Sequence, residues 1–194
     1  AYFVELDGAL VSYFEGEPGG PGFGGRYLGT AMGSDGDFNG DGSPDLMLAD
    51  SGHSGGTNLG EGRVYLYTGP DLAPAGVLDQ DALAVRYGSY LQFGPDLDQD
   101  GCSEILIGGP DGYVGSVIPG RVHVVSGATG VDLQVLSTGQ GDDDFGARFD
   151  IGGDVGSDGR PDVLVMAPTY DHGGPGPGSA FVYDSPRFIR LEVS

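Results

Sequence analysis

The sequence predicts an all-β fold built from three repeats of four short antiparallel strands. Three observations carry this. An acidic nonapeptide recurs as DFNGDGSPD from Asp37, DLDQDGCSE from Asp96 and DVGSDGRPD from Asp154, at spacings of 59 and 58 residues. Each copy is preceded by an aromatic-glycine or glycine-aromatic segment (FGGRYL, YGSYLQF, FGARFDI) and followed by GRVYLYTG, GRVHVVSG or GSAFVYDS. Finally, 40 glycines and 13 prolines in 194 residues describe a chain of corners. Such a chain has too few strong helix formers for long helices.

The elements follow in order. Residues 1–22 include AYFVELDGALVSYF, which reads as the last two strands of another unit. Three repeats then run over 23–86, 87–144 and 145–194. In each, the first strand follows the aromatic-glycine pair, as at Arg148 to Ile151. The second is the apolar run after the acidic loop (LMLA, ILIG, VLVM), too short for a helix. The third alternates with period two, as in Val64-Tyr65-Leu66-Tyr67. A more polar edge strand completes each unit, at Val77 to Val85, Val131 to Leu136 and Phe188 to Val193. Four-stranded antiparallel units with glycine at the corners are propeller-like blades in a single domain.

The acidic loops place oxygen donors on alternate residues. The first offers Asp37, Asn39, Asp41 and Asp45 with the Ser43 carbonyl, the second Asp96, Asp98, Asp100 and Glu104 with the Cys102 carbonyl. The third offers Asp154, Asp158 and Asp162 with the Arg160 carbonyl, and Gly156 stands where Asn39 and Asp98 stand. Carboxylates so close together repel unless a cation sits among them. A hard dication such as Ca²⁺ takes six to eight oxygens at about 2.3–2.6 Å. Magnesium prefers fewer protein ligands and zinc prefers His and Cys. About three Ca²⁺ are therefore expected, one per repeat, with the four-carboxylate second site tightest and the third weakest. An EF-hand is excluded, since position twelve is Leu48, Ile107 or Val165, within a strand-like run. Asp142-Asp143-Asp144 reads as a solvated turn in preference to a fourth ion site.

Phe-Gly, an acidic loop and a Gly-Ala-Pro-like tripeptide together resemble the FG-GAP repeat of integrin alpha-subunit propellers. Ala167-Pro168 and Gly108-Gly109-Pro110 approach the tripeptide, whereas Ala49-Asp50-Ser51 departs from it. The resemblance implies calcium on one end of the blades and ligand binding on the opposite loops. It also implies seven blades, and this chain has three and part of a fourth. A compact, closed pseudo-threefold arrangement with the N-terminal strands at the seam is the expected solution. Pairing of two chains or membership of a longer chain are the alternatives, and a monomer is expected over a dimer.

Charge narrows the function. With 29 acidic against 8 basic residues, the net charge of −21 opposes nucleic acid, which needs a basic footprint. No apolar run has the length of a bilayer span, so no membrane insertion is expected. The single Cys102 forms no intrachain disulfide. His53, His123 and His172 belong to no catalytic motif, and neither G-x-S-x-G nor a P-loop occurs, so no enzyme is expected. His123, in an alternating strand, reads as a packed or surface residue. The loops opposite the acidic ones carry His53, Tyr113, Tyr170 and His172 among glycines, which suits a protein or glycan partner. Tyrosines packing over the blade ends are the equal alternative there. The expectation is a calcium-binding, integrin-like extracellular or cell-surface module for adhesion or recognition. A structural unit of a larger surface protein is the alternative, and a hydrolase or lyase on a propeller scaffold comes after that.

Overall fold

The computed structural model describes residues 2–4, 10–16, 27–54, 60–79, 86–110, 118–141, 143–170 and 177–185. Among these residues the protein is all-β, without a helix. Two short strands, β1 (Tyr2–Val4) and β2 (Leu10–Tyr13), form an antiparallel hairpin. The first repeat supplies β3 (Leu28–Gly33), β4 (Leu46–Asp50), β5 (Arg63–Thr68) and β6 (Ala73–Asp79) in sequential order in one sheet. The second repeats this with β7 (Tyr90–Phe93), β8 (Ile105–Gly109), β9 (Arg121–Val125) and β10 (Asp132–Leu136). The third has β11 (Arg148–Gly153), β12 (Asp162–Ala167) and β13 (Ser179–Tyr183). All pairings are antiparallel.

The apolar runs after the first two acidic loops become second strands that are buried on both faces. β4 is buried throughout and β8 through four of its five residues. Alternate side chains point to opposite faces, so one strand serves two cores. Ile105 and Ile107 of β8 pack with Met47, Ala49, Val64 and Leu66 of the first sheet. Leu106 packs with Val163, Val165 and Ala167 of the third. The middle sheet is thus sandwiched between its neighbours, with β7 beside β3 on one side and β11 on the other.

The aromatic-glycine pairs lock each junction. Tyr87 and Phe145 are buried between sheets, and Gly88 (φ 84°) and Gly146 (φ 86°) follow them in the left-handed region. A Cβ on Gly88 would lie 2.8 Å from that of Ala49, and one on Gly146 would lie 2.6 Å from the Arg121 carbonyl oxygen. Glycine is required by both conformation and space.

Three expectations are corrected. The first repeat's edge strand runs Ala73–Asp79, upstream of Val77–Val85, because the turn at 69–72 returns the chain at once onto β5. Residues 80–85 lie outside the described residues, as does the expected edge strand Phe188–Val193. The sheets do not close into a threefold ring. They stack in one direction, and the outer face of the third presents Leu164, Met166 and Val182 at 40%, 40% and 51% exposure. Directly after the N-terminal strands, the Phe14 ring sits 4.4 Å from that of Tyr67, so this part of the chain meets the first sheet in place of a seam in a closed ring.

Leu106 and Leu164 occupy equivalent repeat positions in opposite environments, fully buried and 40% exposed respectively. Leu106→Ala is expected to cost about 2–5 kcal/mol, and Leu164→Ala less than about 1 kcal/mol. Denaturant midpoints of the two variants check this. Equal losses would mean that the third sheet's outer face is covered.

Candidate metal centre

Each acidic loop joins the first and second strands of its repeat and folds around its own side chains. The first aspartate caps two backbone amides: Asp37 accepts from Asp41 and Gly42 at 3.1 and 2.7 Å. Asp96 accepts likewise from Asp100 and Gly101, and Asp154 from Asp158 and Gly159. The fifth residue accepts from the seventh, in Asp41–Ser43, Asp100–Cys102 and Asp158–Arg160, at 2.8–3.0 Å. At the third position Asn39 and Asp98 accept from the amides of Asp41 and Asp100. Gly156 has no side chain to do so. Gly42, Gly101 and Gly159 share a positive φ near 90° with open space around them, so conformation selects glycine there.

The ninth residue sits at the start of the buried second strand and is itself buried: Asp45 at 1%, Glu104 at 0% and Asp162 at 4% exposure. One oxygen of each is held by the loop's own amides. Phe38 donates to Asp45, Leu97 and Asp98 to Glu104, and Val155 and Gly156 to Asp162. The second oxygen differs. Asp45 Oδ1 accepts from Gly69 at 2.9 Å, whereas Glu104 Oε2 and Asp162 Oδ1 are buried without a partner. A buried carboxylate oxygen left unpaired is costly unless something positive completes it.

In the second loop, one ligand atom from each of Asp96, Asp98, Asp100 and Glu104 lies within 4.8 Å of all the others. Opposed oxygens around a calcium ion are separated by about 4.6–5.2 Å, twice the usual bond length. The all-oxygen donor set, this spacing and the unpaired Glu104 oxygen fit a hard dication. The electrostatics agree. Burial pushes the Glu104 carboxyl up to about 7, against the opposing amide bonds from Leu97 and Asp98, with the Asp98 and Asp96 charges adding to the rise. Burial also raises Asp98, followed by the charge of Asp100. Cys102 is buried and, chiefly through burial and then Asp100, its thiol is raised to about 11. In the exposed first loop Asp41 is lowered, chiefly by its hydrogen bond with Asn39.

The opposite end of the strands differs from expectation. His53 is buried at 5% exposure, its amide donating to the Asp50 carbonyl at 3.1 Å and its carbonyl accepting from the Gly62 amide at 2.9 Å. Tyr170 is half-buried and meets the Phe181 ring edge-on at 5.3 Å, the packing alternative. Tyr113 and His172 lie outside the described residues. His123 is packed, 3.1 Å from Asp132 and edge-on to Tyr87. Asp143 is fully buried and not a solvated turn residue. It accepts from the Phe145 amide at 3.0 Å and from the Thr138 hydroxyl, shaping the approach to Phe145. Sequence reasoning also missed Asp50, fully buried, which accepts from the Tyr27 amide at 2.8 Å and keeps Oδ2 unpaired. Its signal was the departure Ala49-Asp50-Ser51 from the tripeptide pattern.

No family model matches the chain. Integrin alpha-5 of Xenopus laevis is 35% identical over 147 residues, covering 68% of this chain. The chain spans 14% of that protein's length. The similarity supports an integrin-like relation.

The raised Glu104 carboxyl gives the metal-free protein a distinct pH response. Between its ordinary value of 4.5 and about 7, the folded chain holds this proton more often than the unfolded chain. The contribution of this group to stability is therefore present below pH 4.5 and lost as pH rises through 7. With chelator present, going from pH 5 to 7.5 should lower the parent's denaturant midpoint more than that of Glu104→Gln. Parallel pH profiles would show that Glu104 titrates normally.

Proposed function

We propose that this chain is a calcium-stapled, integrin-like module that works outside the cell in adhesion or recognition, its sheets being propeller-like blades. The observation that carries the reading is the second loop: four clustered carboxylates, one of them buried with an oxygen unpaired. Asp96, Asp98, Asp100 and Glu104 would hold its ion, with the Cys102 carbonyl available. Asp37, Asn39, Asp41 and Asp45 with the Ser43 carbonyl would serve the first loop. Asp154, Asp158 and Asp162 with the Arg160 carbonyl would serve the third, about three ions in all. Bound calcium supplies counter-charge and fixes the register of the strands each loop joins. The chain's own part is orientation, through the amide bonds that aim each carboxylate.

The likeness to an integrin alpha chain supports an extracellular setting and a binding rather than a catalytic role. Millimolar calcium outside the cell would keep even weak sites filled. No helix among the described residues is long and apolar enough to cross a membrane. The partner would meet the loops at the end opposite the acidic ones, where His53, Tyr113, Tyr170 and His172 are the candidates, with His53 buried and Tyr170 half-buried. A second reading is favoured by the exposed third-sheet face: a structural unit of a larger surface protein, without a ligand of its own.

Binding to the folded state alone adds about 2.7 kcal/mol per site at calcium a hundred times the dissociation constant. For a chain of this size that raises Tm by roughly 5–10 °C per site. Excess chelator is expected to remove that gain and added calcium to restore it, read by calorimetry. Identical melting with and without calcium would end the stapling reading. Capture of a ligand from surface extract only with calcium supports recognition. Calcium-dependent stability with no capture favours the structural unit.

A further inference from the structure

The three loops are nearly equivalent in sequence but not in how they touch. The first loop is bonded directly to the second. Asp37 donates its amide to the Ser103 hydroxyl at 3.1 Å, and Ser103 donates its amide to the Asp37 carbonyl at 2.7 Å. Asp37 opens the first donor set, and Ser103 lies between Cys102 and Glu104 of the second. Two glycines make the approach possible. A Cβ on Gly127 would overlap the Ser103 carbonyl oxygen and lie 2.8 Å from that of Phe38, and one on Gly40 would lie 3.2 Å from Cys102 Sγ.

The second loop meets the third without these devices. Pro161 stands where Ser103 stands and has neither an amide hydrogen nor a hydroxyl. Ser185 stands where Gly127 stands, with its hydroxyl bonded to the Pro161 carbonyl. Between these loops lies a cleft of about 270 Å³ lined by Asp96, Leu97, Arg160, Pro161 and Ser185. Leu97 and Phe38 are equivalent residues; Phe38 abuts Gly127, whereas Leu97 borders the cleft.

We infer that the first and second loops form one cooperative cation-binding unit, while the third loop binds independently. The inference rests on the calcium reading of the loops. An ion that orders the second loop fixes Ser103, and through its two bonds fixes the Asp37 backbone from which the first donor set begins. The first site is then partly ordered before its ion arrives. Such coupling is reciprocal: whatever factor one ion adds to the affinity of the other site, the other returns.

Calcium titration by calorimetry tests this on the full chain and three variants. Asp41→Asn, which disables the first loop, is expected to weaken the second site roughly fivefold or more. Asp158→Asn in the third loop should leave the second site unchanged. Ser103→Pro, which copies residues that the first and third loops already carry as Pro44 and Pro161, should abolish cooperativity without removing a donor. Equal effects of Asp41→Asn and Asp158→Asn on the second site, or an isotherm unchanged by Ser103→Pro, would overturn the coupling alone. Failure of the parent to take up any calcium would overturn the calcium reading and the coupling together.

Discussion

The architecture depends on concentrating negative oxygen at the start of each buried second strand. Asp45, Glu104 and Asp162 enter the core edge with their carboxyl groups removed from solvent. The chain meets this partly by itself, turning loop amides inward so that one oxygen of each accepts from the residues just after the loop's first aspartate. The remaining oxygen decides how far each loop depends on a cation. In the first repeat the Gly69 amide satisfies it. In the second and third it has no hydrogen-bond partner. The loops therefore differ in how their buried carboxylates are satisfied, not only in the number of oxygen-bearing side chains.

The same second strands organise the stack. Because β4 and β8 are buried on both faces, each sheet presents one apolar face to the sheet before it and another to the sheet after. Tyr87 and Phe145 fill the junctions, and their glycines let the backbones of successive repeats meet. The mode of addition is directional and has no built-in stop. The third sheet ends with Leu164, Met166 and Val182 in the forward-facing positions that Leu106, Gly108 and Val124 fill in the second. An apolar face of this kind on the last repeat is what a larger assembly would use.

Much of this was legible in the sequence, because a repeat reports the same local solution several times. The strand after each acidic loop, the alternating third strand and the glycine that bends each loop all follow from short-range patterns. The edge strand of the first repeat was placed too far downstream, since a turn as tight as 69–72 carries no periodicity of its own. His53 and Asp143 read as surface residues because neighbouring glycines and aspartates suggest solvent. Both are buried, an outcome of packing that composition alone does not encode.

The sequence by itself determined the repeat, its strands and the acidic loops, because these depend on side-chain spacing within nine to sixty residues. Tertiary structure decided which donors converge, which carboxylate oxygens lose every partner and which loops touch. Those outcomes depend on the packing of one repeat against the next. There a single glycine or serine, as at 127 and 185, sets whether two backbones can approach within hydrogen-bonding distance.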